Sequence, residues 1–125
     1  MHYVELVAML IIAQYLFFGA MVGRARGRYG VKAPAVTGHE GFERAYRVQM
    51  NTLELMVALL PALFVAARFW PAGWVAGIGA VYLLGRFVYW RAYVGNPASR
   101  ALGFMLSMLP VIVLLLMALA GAVLR

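Results

Sequence analysis

The sequence predicts an all-α membrane protein, one domain over residues 1–125 in which four transmembrane helices form a bundle. Three observations predict it. Hydrophobic residues make up 66% of the chain and mean hydropathy is +0.87, whereas soluble domains are roughly half apolar. A chain this short has no interior large enough for that surplus, so the surplus must face lipid. The apolar residues also fall into four runs, each long enough to cross a hydrocarbon layer of about 30 Å at about 1.5 Å per residue. Charge, Gly and Pro concentrate between the runs and at their ends.

The first helix is expected over about residues 3–26. Its apolar run from Tyr3 to Gly23 lacks the basic start of a signal peptide and is too long for one. The following RARGRYGVKAPAVTGHEG reads as a loop. The second helix, over about 42–69, opens in the polar stretch FERAYRVQMNTLELM and continues into LLPALFVAARF. Pro71 and Gly73 mark a tight turn, and the third helix is expected over about 73–94. Asn96 before Pro97 reads as an N-cap and first-turn proline opening the fourth helix, over about 97–124. Pro61 and Pro110 lie inside spans, where membrane helices tolerate a proline kink.

Composition removes several chemistries. The chain has no cysteine and no aspartate, and His2 and His39 are its two histidines. Thiolate–metal sites, a cysteine nucleophile, a histidine metal cluster and a serine triad are therefore excluded, and no metal is expected. The net charge of +7 reads as membrane topology rather than nucleic-acid binding. Of the eleven Lys and Arg, Arg68 and Arg125 lie at one end of the helices and all the others at the opposite end. The positive-inside rule places the first and third loops in the cytoplasm and both termini outside. Arg24, Arg28, Lys32 and Arg91 read as side chains that snorkel to head groups.

The polar residues of the second helix are a different matter. At about 100° per residue, Arg47, Asn51 and Glu54 fall within an arc of roughly 60°, and Gln49 points nearly the opposite way. Arg86, Tyr89 and Tyr93 form a similar stripe on the third helix. Arg100 opens the fourth helix at the same level, and Arg26 ends the first. A charged group this deep costs about 2.5–3.5 kcal/mol, which argues for a partner in a polar cavity. Arginines favour a carboxylate guest, Glu54 favours an ammonium group, and tyrosines add hydrogen bonds and flat surfaces. A small zwitterionic peptide with two carboxylates suits the set, and glutathione is such a molecule.

FERAYRVQMNTLE, with Arg47, Asn51 and Glu54 in the spacing R-x-x-x-N-x-x-E, resembles the signature of the membrane-associated proteins in eicosanoid and glutathione metabolism, the MAPEG family. GRFVYWRAYVGNPASR is similar to that family's third-helix pattern: Arg86, tyrosines four apart, then a basic residue opening helix four. The resemblance spans nearly the whole chain and is nearest to bacterial members and the microsomal glutathione S-transferase branch. It implies a homotrimer in a bacterial inner membrane, with glutathione at the subunit interfaces. By position, Arg26, Arg47, Gln49, Asn51, Glu54, Arg86, Tyr89, Tyr93 and Arg100 would hold glutathione, with Gln49 reaching a neighbouring subunit's site. Arg100 would be catalytic, since a nearby cation favours the thiolate over the thiol.

What the resemblance implies is therefore a glutathione transferase or peroxidase acting on lipophilic electrophiles that enter from the bilayer. The alternatives are a non-catalytic lipid-binding scaffold, like the activating-protein branch, or a glutathione-dependent isomerase. A channel is disfavoured because the polar groups gather at one membrane face. Two positions depart from the leukotriene-synthesising branch. Leu55 stands where a tyrosine follows the glutamate, and Gly27 stands where that branch has the second of two arginines, leaving Arg28 as the nearest substitute. Gly19/Gly23 and Gly73/Gly77 form GxxxG pairs that read as packing, without naming an interface. Gln14 is expected to hydrogen-bond another helix rather than a ligand, and Ser107 either to bond back to its own helix or to place a polar group in the substrate groove.

Overall fold

The computed structural model describes residues 2–125, and of Pro97 the backbone. It has four long helices: α1 (Tyr3–Tyr29), α2 (Glu40–Phe69), α3 (Ala72–Gly95) and α4 (Ala101–Leu124). All four are long and apolar enough to cross a membrane. α1 packs on α2 and α3, α4 packs on the same two, and α2 meets α3 across the bundle. Only 33–39% of each apolar window is buried, so most of every span faces lipid or another chain. The main core is aliphatic, built around Ile11, Leu59, Leu63, Val75 and Leu114, with Tyr82 among them.

The helix ends differ from the sequence expectation for local reasons. α1 runs on through Gly27 to Tyr29 and ends at Gly30, which takes φ 69° in a left-handed cap, with Val31 N donating to Arg26 O at 3.1 Å. α2 begins at Glu40 because His39 caps it: the imidazole Nδ1 accepts from Gly41 N at 2.9 Å, and Glu43 reaches back to Gly38 N at 3.1 Å. Glu40 and Glu43 in this first turn also suit the helix dipole.

Gly73 is not part of a turn. It lies in the first turn of α3, and Trp70–Pro71 alone joins α2 to α3. Nor does Asn96–Pro97 open α4 directly. These residues begin a separate 3₁₀ turn over Pro97–Ser99, in which Asn96 O accepts from both Ser99 N (2.9 Å) and Ser99 Oγ (2.7 Å). α4 starts after Arg100.

The glycines that bring helix backbones together are not those of the GxxxG pairs, of which Gly19 alone meets a neighbour, the Gln49 side chain. A Cβ on Gly23, Gly73 or Gly77 would meet nothing within 4 Å. On Gly85 it would approach the Leu106 backbone at 2.6 Å, and on Gly103 it would overlap the Tyr89 backbone. These two residues let α3 and α4 touch main chain to main chain. At the other end, Trp70 Nε1 ties the close of α2 to Met117 O of α4 at 2.8 Å. Gly103→Val should force the α3–α4 pair apart and destabilise the protein by about 1–3 kcal/mol, read as a lower Tm in detergent. Gly77→Ala should leave the Tm within the small range of a surface change.

Candidate functional site

Four polar side chains are buried among the described residues: Gln14, Thr52, Arg86 and Ser107. Two follow expectation. Gln14 Nε2 donates to Leu83 O of α3 at 2.8 Å, and Ser107 Oγ bonds back to Gly103 O at 2.7 Å. Arg86 and Thr52 form a unit that the helix wheel did not show. Arg86 is fully buried, and its Nε and Nη2 donate to Thr52 Oγ1 at 3.2 and 2.9 Å. Thr52 in turn donates its hydroxyl hydrogen to Val48 O at 2.7 Å. The Arg86 guanidinium also lies 4.4 Å from the centre of the Tyr89 ring. Its Nη1 is buried without a partner.

From Arg86 a ladder of rings and cations climbs toward the arginine-rich end. Tyr89 and Tyr93 stack with centroids 5.4 Å apart at 24°, and the Arg100 guanidinium lies 5.9 Å from the Tyr93 ring. Gly103 sets this geometry, since a side chain there would overlap the Tyr89 backbone, and Phe104 beside it packs against the Tyr89 ring at 6.3 Å. Arg47 of α2 joins the group, because the Tyr89 phenol lies within electrostatic reach of Arg86, Arg100 and Arg47.

Arg47 and Glu54 are exposed on the outer face of α2, with Asn51 half-buried between them. The Asn51 Oδ1 atom is buried and accepts no hydrogen bond. The structure thus brings together Arg86, Tyr89, Tyr93 and Arg100, with Arg47 in reach of Tyr89, while Asn51 and Glu54 continue the Arg47 face along α2. Arg47, Glu54 and Arg100 are exposed, Asn51 and Tyr93 half-buried, and Tyr89 and Arg86 buried.

Arg26 and Gln49 are placed elsewhere. Arg26 Nη1 donates to Ala35 O at 2.7 Å, and its guanidinium lies 4.7 Å from the Phe42 ring. It therefore pins the first loop against α2. Gln49 lies against α1, where its amide nitrogen would be 2.9 Å from a Cβ on Gly19. Thr52 is the functional neighbour that pattern reading missed. A signal was present: it is the single Ser or Thr in α2, and a buried arginine on another span requires an acceptor.

A family model for MAPEG proteins matches residues 4–120. The chain belongs to the MAPEG family. It is an integral, multi-pass membrane protein, as its four apolar helices and its family together establish. An uncharacterized protein of the cyanobacterium Synechocystis sp. is 43% identical over 114 residues, covering 91% of this chain and 83% of that protein. Microsomal glutathione S-transferase 2 of Homo sapiens is 35% identical over 102 residues, or 82% of this chain and 69% of the human protein. Leukotriene C4 synthase of Bos taurus is 35% identical over 94 residues, 75% of this chain and 63% of the bovine protein.

In this MAPEG protein, removing the one acceptor of a buried guanidinium should be costly. Thr52→Val should destabilise the fold by about 1–3 kcal/mol or more. Adding Arg86→Met to Thr52→Val should recover most of that loss, because no charge is then left without an acceptor. A double-mutant cycle on thermal unfolding in detergent measures the coupling.

Proposed function

We propose that this MAPEG protein is a glutathione transferase that works as a homotrimer and presents glutathione as a thiolate to lipophilic electrophiles. The observation that carries this reading is the exposure of Arg47 and Glu54 on one face of a helix that goes on into the apolar run LLPALFVAARF. Facing lipid, each would cost about 2.5–3.5 kcal/mol. A second copy of the chain laid over this face, with a charged guest between, removes that cost. Two relatives are named for glutathione transfer and leukotriene C4 synthesis, which supports glutathione as the guest.

Each group has a role that its chemistry suits. Arg47 holds a glutathione carboxylate, and Glu54 holds the ammonium. Asn51 Oδ1, which lacks a donor, accepts a peptide N–H of the tripeptide. Tyr89 and Tyr93 form the wall between Arg86 and Arg100. Arg26, half-buried in the last turn of α1, and Gln49, half-buried where α2 meets α1, would serve a neighbouring copy's site from the edge of this chain. Arg100 lies beside the sulfur and stabilises its negative charge, so the thiol gives up its proton to water near neutral pH. The thiolate then forms a sulfur–carbon bond, and the leaving group departs with its electron pair. Toward a lipid hydroperoxide, the thiolate takes the terminal oxygen as the O–O bond breaks, and the lipid alkoxide leaves with the electron pair and takes a proton from water to become the alcohol. A second glutathione then converts the resulting sulfenic acid to disulfide and water.

The basic loops face the cytoplasm in this reading, the side on which glutathione is found. Leu55 is a buried core residue and Gly27 carries no side chain. A general electrophile therefore suits the site better than a leukotriene epoxide.

The test is ultraviolet detection of thiolate on adding glutathione, followed by turnover of a chloronitroaromatic. Both signals are expected in the unmodified protein, and the absence of both would overturn the reading. Arg100→Ala should lower kcat by about 10²-fold with far less effect on the glutathione Kd. Glu54→Gln should do the reverse, weakening glutathione binding while leaving the thiolate fraction at saturation largely intact.

A further inference from the structure

The seam between α1 and α3 lies away from the α2 face just described, and its polarity changes along its length. At the arginine-rich end is a cleft of about 230 Å³ whose mouth carries Arg24 and Arg28 and whose walls include Ala25, Ala45, Trp90 and Val94. The two arginines are one helical turn apart on α1 and both are exposed. Neither pairs with a carboxylate among the described residues. The two acids that open α2 beside this cleft are already engaged: Glu40 with Arg44, and Glu43 with Gly38 N. The cleft is thus a cationic mouth over an apolar floor, without an internal counterion.

Further into the membrane the seam is apolar. Trp90 packs edge-on against Phe17 at 5.5 Å, and Phe17 packs against Phe87 at 6.1 Å. Beyond this aromatic bridge lies a groove of about 390 Å³ lined by Leu10, Ala13, Gln14, Phe17, Leu83 and Phe87. Arg24 and Gln14 are ten residues apart on one helix, which is about 15 Å of rise, or about half of a 30 Å hydrocarbon core. A charged mouth followed by an apolar groove one leaflet deep has the form of an anionic amphiphile in a single monolayer. Basic pockets between membrane helices bind such head groups.

We propose that the α1–α3 seam is a binding site for an anionic glycerophospholipid. Its phosphodiester sits between Arg24 and Arg28, and one acyl chain lies past Trp90 and the Phe17–Phe87 pair toward Gln14. Trp90 is the natural reporter, since Trp70 and Trp74 lie at the opposite end of the bundle.

The full chain carrying Trp70→Phe and Trp74→Phe is reconstituted in phosphatidylcholine vesicles. Phosphatidylglycerol or phosphatidylcholine with brominated acyl chains is then titrated in, and Trp90 fluorescence is read. Brominated phosphatidylglycerol should reach half-quenching at a mole fraction about tenfold lower than brominated phosphatidylcholine. Arg24→Gln with Arg28→Gln should remove that preference, and Arg24→Lys with Arg28→Lys should retain most of it. Water-soluble glycerophosphate in excess should not relieve the quenching, because it has no chain for the groove. Equal quenching by the two lipids would overturn the proposal. So would a preference that survives in a monodisperse, helical Gln variant, or one that glycerophosphate abolishes.

Discussion

A charge inside a membrane must find a partner, and this protein meets the requirement in two ways. Arg86 is compensated within its own chain. Hydrogen bonds from a charged donor contribute about 1.5–3 kcal/mol each, and a desolvated cation–π contact about 2 kcal/mol. Two bonds to Thr52 and the Tyr89 ring therefore offset an insertion cost of about 2.5–3.5 kcal/mol, even though the two bonds share one oxygen. Glu54 has no such arrangement, because it lies exposed on α2. The same physics that closes the bundle around Arg86 leaves the neighbouring face of α2 in need of something outside the chain.

The helix packing makes the two solutions adjacent. Gly85 and Gly103 allow α3 and α4 to meet backbone to backbone, which sets Tyr89 and Tyr93 beside the start of α4 and brings Arg100 over the Tyr93 ring. Thr52 and Arg86 tie the same stretch of α3 to α2 directly behind Asn51. A rigid joint therefore backs the open polar face. In our reading the joint holds the cations in place, so that little reorganisation is needed when negative charge develops on sulfur.

Much of this was legible in the sequence, for stated reasons. Apolar runs longer than a bilayer leave little choice but spans. The 100° wheel put Arg47, Asn51 and Glu54 on one face because α2 continues unbroken through them. The wheel also put Arg86 with Tyr89 and Tyr93. It could not say which side of α3 meets another helix, so it did not separate an interior arginine from an outward one. That distinction depends on Thr52, 34 positions earlier. The His39 cap was missed because imidazole is not among the usual capping groups. The contact glycines were missed because Gly85 and Gly103 have no partner glycine at a signature spacing, whereas of the visible GxxxG pairs Gly23, Gly73 and Gly77 face open space on this chain and Gly19 meets the Gln49 side chain alone.

The central claim is that the exposed face of α2 lines a water-accessible ligand site, not a lipid contact. The chain contains no cysteine, so single cysteines report cleanly. Met50→Cys, on the Glu54 face, is to be labelled in membranes with a charged maleimide, with and without S-methylglutathione, and compared with Leu84→Cys on the outer surface of α3. The account requires Met50→Cys to react and to be protected by the tripeptide, while Leu84→Cys stays unlabelled. If Met50→Cys is as inert as Leu84→Cys, or reacts equally whether or not S-methylglutathione is present, the account is contradicted.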